Sequence, residues 1–276
     1  MIEIAYNNTF GNQETWDTHG GHIGDMFNGI LSLVSVLRKN NVPLNNIQIS
    51  SPLYRQEIVN LFGINTCAVH RFNDLHVHKT DMLLSTLRGS TGINIPCTIS
   101  HPHNIWDYFS RFDLTGDDIV EDYCLSGDVR HDITSDDIII FPMSYGANII
   151  HYNIFLEFIK NNIHNYRNIY WNIEPEGEGK VKYRINYPKV DNKFRLNLGI
   201  SDLITTLYKR NPTIIGCRSG LFDIMFHILK TSRIFCFCDT SDIIQSRWRF
   251  KENCKLYQNF QTYIKDRVHY NEIKYK

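Results

Sequence analysis

The stretch PTIIGCRSGLFDIMFHIL (residues 212–229) joins a short apolar run to a longer apolar segment through the polar turn Arg218-Ser219-Gly220. A short apolar run bounded by turn residues is typical of a buried strand, and the segment after the turn is long enough for a helix. The stretch therefore predicts strand, turn and helix in succession. Other apolar runs alternate with helix-periodic segments along the chain, which favours an α/β fold with parallel strands.

The order of strand, turn and helix begins twice in the chain. It begins first at IEIAY (residues 2–6) and again at DIIIFPMSYG (residues 137–146), after an acidic segment rich in turn residues. Two α/β domains are therefore expected, residues 1–132 and residues 133–276. The second is expected to end in a charged, aromatic tail with a helix near residues 252–265.

Two of the predicted helices carry N-terminal signals. The segment at residues 52–62 starts with Pro52, whose missing N–H does no harm in the first turn of a helix. The segment at residues 201–210 starts with Ser201, whose hydroxyl is suited to capping the first free amides. Both residues are therefore expected at the beginning of a helix.

Composition excludes several classes of function. Of the 276 residues 42% are apolar, enough for a sizeable core. The 29 Lys and Arg residues balance the 29 Asp and Glu residues, and this balance disfavours non-specific binding to nucleic acid. No apolar stretch reaches the roughly 18 residues of a membrane span. The opening MIEIAYNNTFGN lacks the basic start and apolar run of a secretory signal.

The cysteines and histidines give weaker signals. The seven cysteines form no CxxC pair, so reduced thiols in a cytoplasmic protein are expected. Two HxH pairs (residues 76–78 and 101–103) lack a matching cysteine or carboxylate pattern, and no metal site is predicted. A basic, aromatic segment at residues 247–251 leaves peripheral association with a membrane open.

The glycine-rich stretch GGHIGD (residues 20–25) precedes the first predicted helix. Glycines such as Gly21 and Gly24 allow close approach of the backbone to a ligand, but the stretch is neither a GxGxxG motif nor a P-loop. Asp25 is expected either to stabilise the start of the helix or to act as a general base. His22 is either a substrate-binding residue or an ordinary loop residue.

The turn Arg218-Ser219-Gly220 offers the features that a diphosphate needs. The guanidinium of Arg218 is a fixed charge with bidentate geometry for phosphate. Ser219 is expected to cap the following helix, whose N-terminus favours an anion. Asp223, one turn further, could accept a hydrogen bond from a ribose hydroxyl or form an ion pair with Arg218. The alternative is a capped core helix with a surface arginine.

The turn in FPMSYGAN occupies the same place in the second domain as the glycine-rich stretch in the first. The Ser144 hydroxyl and the backbone around Tyr145 could contact phosphate or sugar, although an ordinary turn between strand and helix has the same composition. Because parallel sheets bind ligands at the carboxyl ends of their strands, these turns are the candidate sites.

Three segments together resemble bacterial heptosyltransferases and related GT-B glycosyltransferases. The first is Gly24-Asp25 at the start of a helix with Leu37-Arg38 near its end, and the second is IIGCRSGLFDIM (residues 214–225). The third, IIIFPMSYGANIIHYNIFLEFIKN, is similar to the opening of their donor-binding domain. The chain is shorter than most GT-B enzymes and lacks the Lys and Trp that many heptosyltransferases carry after this strand, so the donor sugar is not identified.

The resemblance implies two Rossmann-like domains that face a cleft. It implies inverting, metal-independent transfer of a sugar from a nucleotide-sugar donor to the hydroxyl of a glycan or glycolipid acceptor, with no further cofactor. Catalysis would belong to Asp25 with His22, and the acceptor-side loop would include Gly21 and Gly24. The donor would be bound by residues of the second domain: Ser144, Tyr145, Arg218, Ser219, Gly220 and Asp223.

Two other classes of function fit the same scaffold. One is another nucleotide-sugar enzyme, such as an epimerase or a group transferase, which would need a second acid or base near Asp25. The other is a non-catalytic protein that binds a nucleotide or a glycan, which would need Arg218 but not Asp25.

Overall fold

A computed structural model of the chain describes residues 2–5, 23–52, 56–69, 114, 116–142, 160–172, 191–217, 219–229, 232–239, 260–265 and 268–273. The chain divides into two compact units, Met1–Leu125 and Ser126–Lys276. Each contains helices and parallel strands, and the expected α/β class is therefore confirmed.

The first unit contains a parallel sheet of three strands in the order β1-β2-β3. Its strands are β1 (Ile2–Ala5), β2 (Ile47–Pro52) and β3 (Asn65–Val69). Its helices are α1 (Ile23–Lys39) and α2 (Gln56–Asn60), with short 3-10 turns at Leu44–Asn46 and Gly116–Asp118.

Helix α1 is the core element of the first unit. Apolar side chains from Met26 to Leu37 are buried around most of its circumference rather than along one stripe, which is typical of a helix covered on several sides. Its last two residues are basic, as the helix dipole favours. Arg38 bonds Asp122 at 3.2 Å and Lys39 bonds Asp118 at 3.3 Å, so the end of α1 is joined to the segment that closes the unit.

The prediction that Pro52 begins a helix is wrong. Pro52 is the last residue of β2, opposite Val69 of β3, and α2 begins only at Gln56. The residue before a proline is biased toward extended backbone, which here keeps Ser51 in the strand.

The second unit contains one sheet of seven strands in the order β6-β5-β4-β7-β8-β10-β9. The first five are parallel, and β10 and β9 are antiparallel to their neighbours. The strands are β4 (Ile138–Phe141), β5 (Ile169–Asn172), β6 (Arg195–Leu196), β7 (Thr213–Cys217), β8 (Ile234–Asp239), β9 (Phe260–Lys265) and β10 (Val268–Ile273). Its helices include α3 (Ile200–Arg210) and α4 (Gly220–Ile228), and residues 160–162 are also helical. Short 3-10 turns lie at Ile163–Asn165 and Asn192–Phe194.

The central strands β4 and β7 are apolar along their length. All four residues of β4 are buried, as are Ile214 and Ile215 of β7. Continuous apolar runs are expected of parallel strands with both faces covered, and they made these two strands predictable.

The helix expected near residues 252–265 is wrong over its described part. Residues Phe260–Lys265 form β9, which pairs with β10 in a hairpin that continues the sheet beyond β8. Aromatic and β-branched residues are frequent in both strands, and Tyr263 lies opposite Tyr270. The preference of these residues for strands outweighs the charged character of the segment, which had suggested a surface helix.

Helix α3 begins one residue earlier than predicted. Gly199 occupies the N-cap position, and its carbonyl accepts the amide of Leu203 at 2.9 Å. Ser201 therefore lies inside the first turn, and the prediction that it caps the helix is wrong.

Candidate functional site

The order of strands in the second sheet reverses between β4 and β7. After β4 the chain adds β5 and β6 on one side, and it then returns to add β7 and β8 on the other. Phe141 at the carboxyl end of β4 lies opposite Gly216 near the carboxyl end of β7. In open α/β sheets the crevice beside such a reversal is the usual position of a ligand. In the sequence these two strands are followed by the SYG (residues 144–146) and RSG (residues 218–220) segments.

Gly216 lies where β4, β7 and α4 are tightly packed. A Cβ atom at this position would lie 2.6 Å from both the Cβ and the carbonyl oxygen of Phe141, and 2.8 Å from Cζ of Phe222. The rings of Phe141 and Phe222 pack edge to face with centroids 5.8 Å apart, and Phe226 continues the cluster at 5.9 Å. The strand ends therefore rest on a buried aromatic cluster with no room for another carbon.

Helix α4 begins at the turn after β7. Ser219 occupies its N-cap position with extended backbone, and its carbonyl accepts the amide of Phe222 at 3.0 Å. Within the described residues of α4 the Ser219 hydroxyl makes no capping hydrogen bond, so the predicted side-chain cap is wrong. The amide of Phe222 is therefore used within the first turn, and those of Gly220 and Leu221 are the ones that an α-helix leaves without an intrahelical partner and that suit an anion.

Asp223 and His227 lie one turn apart on α4 and are both buried, with exposed fractions of 4% and 6%. Burial lowers the pKa of the His227 imidazole from 6.5 to about 4, against the opposing effect of the Asp223 charge. The imidazole is therefore neutral at pH 7. At this depth little of Asp223 is open to a ribose, and its role at the donor site stays a prediction.

The first turn of α1 contains two of the predicted site residues. Because α1 begins at Ile23, Asp25 is its third residue and lies in the first turn. Gly24 is also in this turn and is buried, so it belongs to the helix and not to the preceding loop. Gly21 and His22 are outside the described residues.

Asn28, one turn beyond Asp25, is a buried polar residue that the sequence pattern does not reveal. Its side chain is buried in α1 with 4% exposed, while its main-chain carbonyl accepts the Ser32 hydroxyl at 2.9 Å. Its Oδ1 atom has no hydrogen-bond partner in the part of the chain that the structure describes. Buried polar atoms of this kind are rare in native proteins, because leaving them unpaired costs free energy.

Replacing Asn28 with Leu, which has a similar shape, is expected to raise the free energy of unfolding of the first unit by about 1 kcal/mol, because the cost of burying an unpaired carbonyl disappears. Urea denaturation followed by circular dichroism measures this change. Ser32→Ala is the control: it removes a buried hydroxyl that does make a hydrogen bond, and it is expected to lower the free energy of unfolding by about 1 kcal/mol. Destabilisation of Asn28→Leu by more than about 1 kcal/mol would show that the amide is needed for folding.

A charged network surrounds the amino end of β4, at the sheet edge opposite the crevice. The fully buried carboxylate of Asp137 accepts two bonds from the Arg167 guanidinium, at 3.0 and 2.8 Å. It also accepts the Thr134 amide at 2.7 Å and the Asn168 side chain at 3.1 Å. Burial alone raises the pKa of Asp137, but these hydrogen bonds outweigh it and hold the pKa below the usual 3.8.

A second ion pair extends this network. Arg130 bonds both carboxylate oxygens of Asp132 at 2.8 and 3.0 Å, and its guanidinium lies 5.3 Å from the centre of the Tyr170 ring. Arg130 also donates to the main-chain carbonyl of Arg195 at 2.8 Å. Since these contacts join the segment before β4 to β5 and β6, the network stabilises the fold and is not part of the candidate site.

The remaining predicted site residues, Arg218, Ser144 and Tyr145, lie outside the described residues, as do the HxH pairs and the basic segment at residues 247–251. Among the helices that the structure describes, none combines the length and the apolar character needed to cross a membrane.

Comparison of the chain with protein-family models, with curated proteins and with solved structures gives no match.

Proposed function

We propose that the protein is a GT-B glycosyltransferase, in which two Rossmann-like domains face a cleft. It transfers a sugar from a nucleotide-sugar donor to the hydroxyl of a glycan or glycolipid acceptor, with inversion and without a metal. The donor binds to the second domain, and the first domain provides the base.

The observation that carries this proposal is the strand order of the second sheet. Numbered from β4, its parallel strands have the order 3-2-1-4-5, the same as the first five strands of a dinucleotide-binding domain. Strands 1 and 4 of this order end at Phe141 and Cys217. In the sequence Ser144 follows the first of these ends by three residues, and Arg218 follows the second directly. The proposal places a nucleotide diphosphate beside this reversal, with Ser144 and Arg218 as its ligands.

The proposed chemistry needs a positive environment for the leaving group. As the glycosidic bond breaks, negative charge develops on the diphosphate, and groups fixed around that position stabilise the transition state. Arg218 provides a bidentate cation, and the first amides of α4, from Gly220, provide the helix dipole. Ser219 has a hydroxyl that is not used for capping α4, and it can donate to the phosphate.

The acceptor hydroxyl must lose its proton as it attacks the sugar carbon. Asp25, in the first turn of α1, is the proposed base. The proposed mechanism requires the cleft to close, so that the first domain meets the donor and water is excluded.

A thermal-shift screen tests the proposal. The protein is heated with single nucleoside diphosphates and nucleotide sugars at concentrations up to about 100 times the expected Kd. Binding at that level adds about 2.7 kcal/mol to the stability of the folded state, a shift of several degrees in Tm. Stabilisation by one nucleotide class identifies the donor, whereas no response to any nucleotide would exclude a nucleotide-sugar enzyme.

A further inference from the structure

Arg210, the last residue of α3, has a guanidinium group that is only partly satisfied. Its Nη2 group donates a hydrogen bond to Nδ1 of His131, in the segment before β4. Because an arginine always carries its proton, the imidazole accepts this bond through an unprotonated Nδ1. The Nε group of Arg210 is buried and has no hydrogen-bond partner in the part of the chain that the structure describes. A buried donor without an acceptor is rare in native proteins.

The charge of Arg210 has no matching carboxylate among the described residues. None of the ion pairs within those residues includes Arg210 or His131. Asp132, which follows His131 in the chain, has both carboxylate oxygens bonded to Arg130. A partly buried arginine is ordinarily paired with an anion, whereas this one has the uncharged nitrogen of an imidazole.

The unused donor defines the kind of ligand that would complete the pair. In a guanidinium the Nε and Nη2 groups lie side by side on one edge and match two oxygens of a single anion, which one imidazole nitrogen cannot replace. His131 is exposed, so its ring can turn aside and, once Nδ1 carries a hydrogen, donate to a third oxygen. A carboxylate has only the two oxygens that the guanidinium edge binds. Phosphate has a further oxygen for the imidazole, and the three donors therefore favour phosphate.

We propose that Arg210 and His131 form a binding site for a phosphate group, with the guanidinium edge holding two oxygens and the imidazole a third. The site lies three residues before β7 begins, at the amino end of that strand. The proposed donor crevice is at the carboxyl ends of the strands and shares no residue with this site. The inference therefore goes beyond the proposed function and does not depend on it.

Lys209 provides a matched control. It is exposed and lies beside Arg210 in the last turn of α3. A basic residue in the last turn interacts favourably with the helix dipole whether or not it binds a ligand. Lys209→Gln removes a charge of the same sign from the same turn, and so measures what loss of charge alone does to phosphate binding.

The test is an NMR titration of the full chain in which inorganic phosphate replaces chloride at a constant ionic strength of about 0.15 M, so that screening of surface charge does not change. The signal of the Arg210 Nε–H group, identified by its absence from Arg210→Lys, is expected to shift. Affinities are taken from the main-chain amide signals of the last turn of α3. Arg210→Lys keeps the charge but loses the paired donors, and we expect it to bind about 10-fold more weakly, whereas Lys209→Gln binds like the wild type. Absence of the shift, or equal affinities for wild type and Arg210→Lys, would overturn the inference.

Two variants of His131 test the site without altering Arg210. The Oδ1 atom of aspartate or asparagine falls near the position of Nδ1 in histidine, so both variants keep an acceptor for the guanidinium. His131→Asp adds a negative charge there and is expected to weaken phosphate binding at least about 10-fold. His131→Asn adds no charge and has an amide donor, so its affinity is expected within about threefold of the wild type. Equal affinities for these two variants would contradict the proposed site.

Titration with methyl phosphate and with acetate identifies the ligand further. If methyl phosphate binds as tightly as inorganic phosphate, the site accepts a phosphate ester; if inorganic phosphate alone binds, the ligand is the free ion. Either result supports the proposal. Acetate that binds as tightly as phosphate would overturn the assignment, because the third oxygen would then contribute nothing.

Discussion

Replacing Asp25 with Asn is expected to reduce sugar transfer at least about 1,000-fold while the affinity for the donor stays near that of the wild type. Asparagine has the size of aspartate but cannot accept the proton of the acceptor hydroxyl, and positioned bases typically contribute about 100- to 10,000-fold. The measurement is release of the nucleoside diphosphate from the donor that the thermal-shift screen identifies, with saccharide acceptors present.

Asp122→Asn is the charge-matched control for this prediction. Asp122 belongs to the same unit and its side chain is 87% exposed, where it pairs with Arg38. A pair this exposed contributes little, so Asp122→Asn should transfer sugar like the wild type. If Asp25→Asn loses donor affinity instead of turnover, Asp25 is a binding residue; if it retains turnover within about 10-fold, Asp25 is not the base.

Replacing Asp137 with Asn is expected to lower the free energy of unfolding of the second unit by about 2–3 kcal/mol. One oxygen of the buried carboxylate accepts the Arg167 and Asn168 side chains, and the other accepts Arg167 together with Thr134. Whichever oxygen becomes an amide nitrogen, at least two donors lose their acceptor. The expected cost is below that of an enclosed ion pair because 49% of the Arg167 side chain is exposed.

Asp136→Asn makes the same charge change at the adjacent, exposed residue and is expected to stay within about 0.5 kcal/mol of wild type. Denaturant unfolding at pH 7 compares the two variants. An equal loss of stability in both would mean that the network around Asp137 contributes nothing specific.

The same network predicts a loss of stability in acid. Because the folded pKa of Asp137 lies below 3.8, the carboxylate stabilises the fold at pH values above its unfolded pKa, and this contribution is lost as the pH falls through the folded pKa. The wild type should therefore lose more stability than Asp137→Asn between about pH 5 and about pH 2. Parallel pH profiles for the two proteins would exclude Asp137 as a source of the acid sensitivity.

The elements with a strong local pattern were predictable from the sequence. Continuous apolar runs identified β4 and β7, and apolar residues over many positions identified α1. Pro52 was misplaced because a proline is tolerated equally at the first turn of a helix and at the end of a strand. The hairpin of β9 and β10 was missed because β10 is stabilised by pairing with β8. This pairing joins segments that are distant in the sequence, so the local pattern of residues does not indicate it.

The features that depend on distant contacts were not predictable in the same way. Asp137 and Arg167 are 30 residues apart, and only the adjacent positions of β4 and β5 bring them together. The burial of Asn28 has no local signal in the sequence, since a polar residue in a helix is ordinarily exposed. Gly216 did have one, because a glycine within a strand suggests close approach of another backbone.

The most direct test of the central claim is titration of the protein with the nucleoside diphosphate that stabilises it in the thermal-shift screen. Arg218→Ala removes the proposed phosphate ligand. Arg233→Ala is the control, because it removes another arginine side chain at the amino end of β8, which is the opposite end of the strands. If the crevice between β4 and β7 binds the diphosphate, Arg218→Ala binds it about 100-fold more weakly and Arg233→Ala binds it like the wild type. Equal binding by wild type and Arg218→Ala would contradict this placement of the donor.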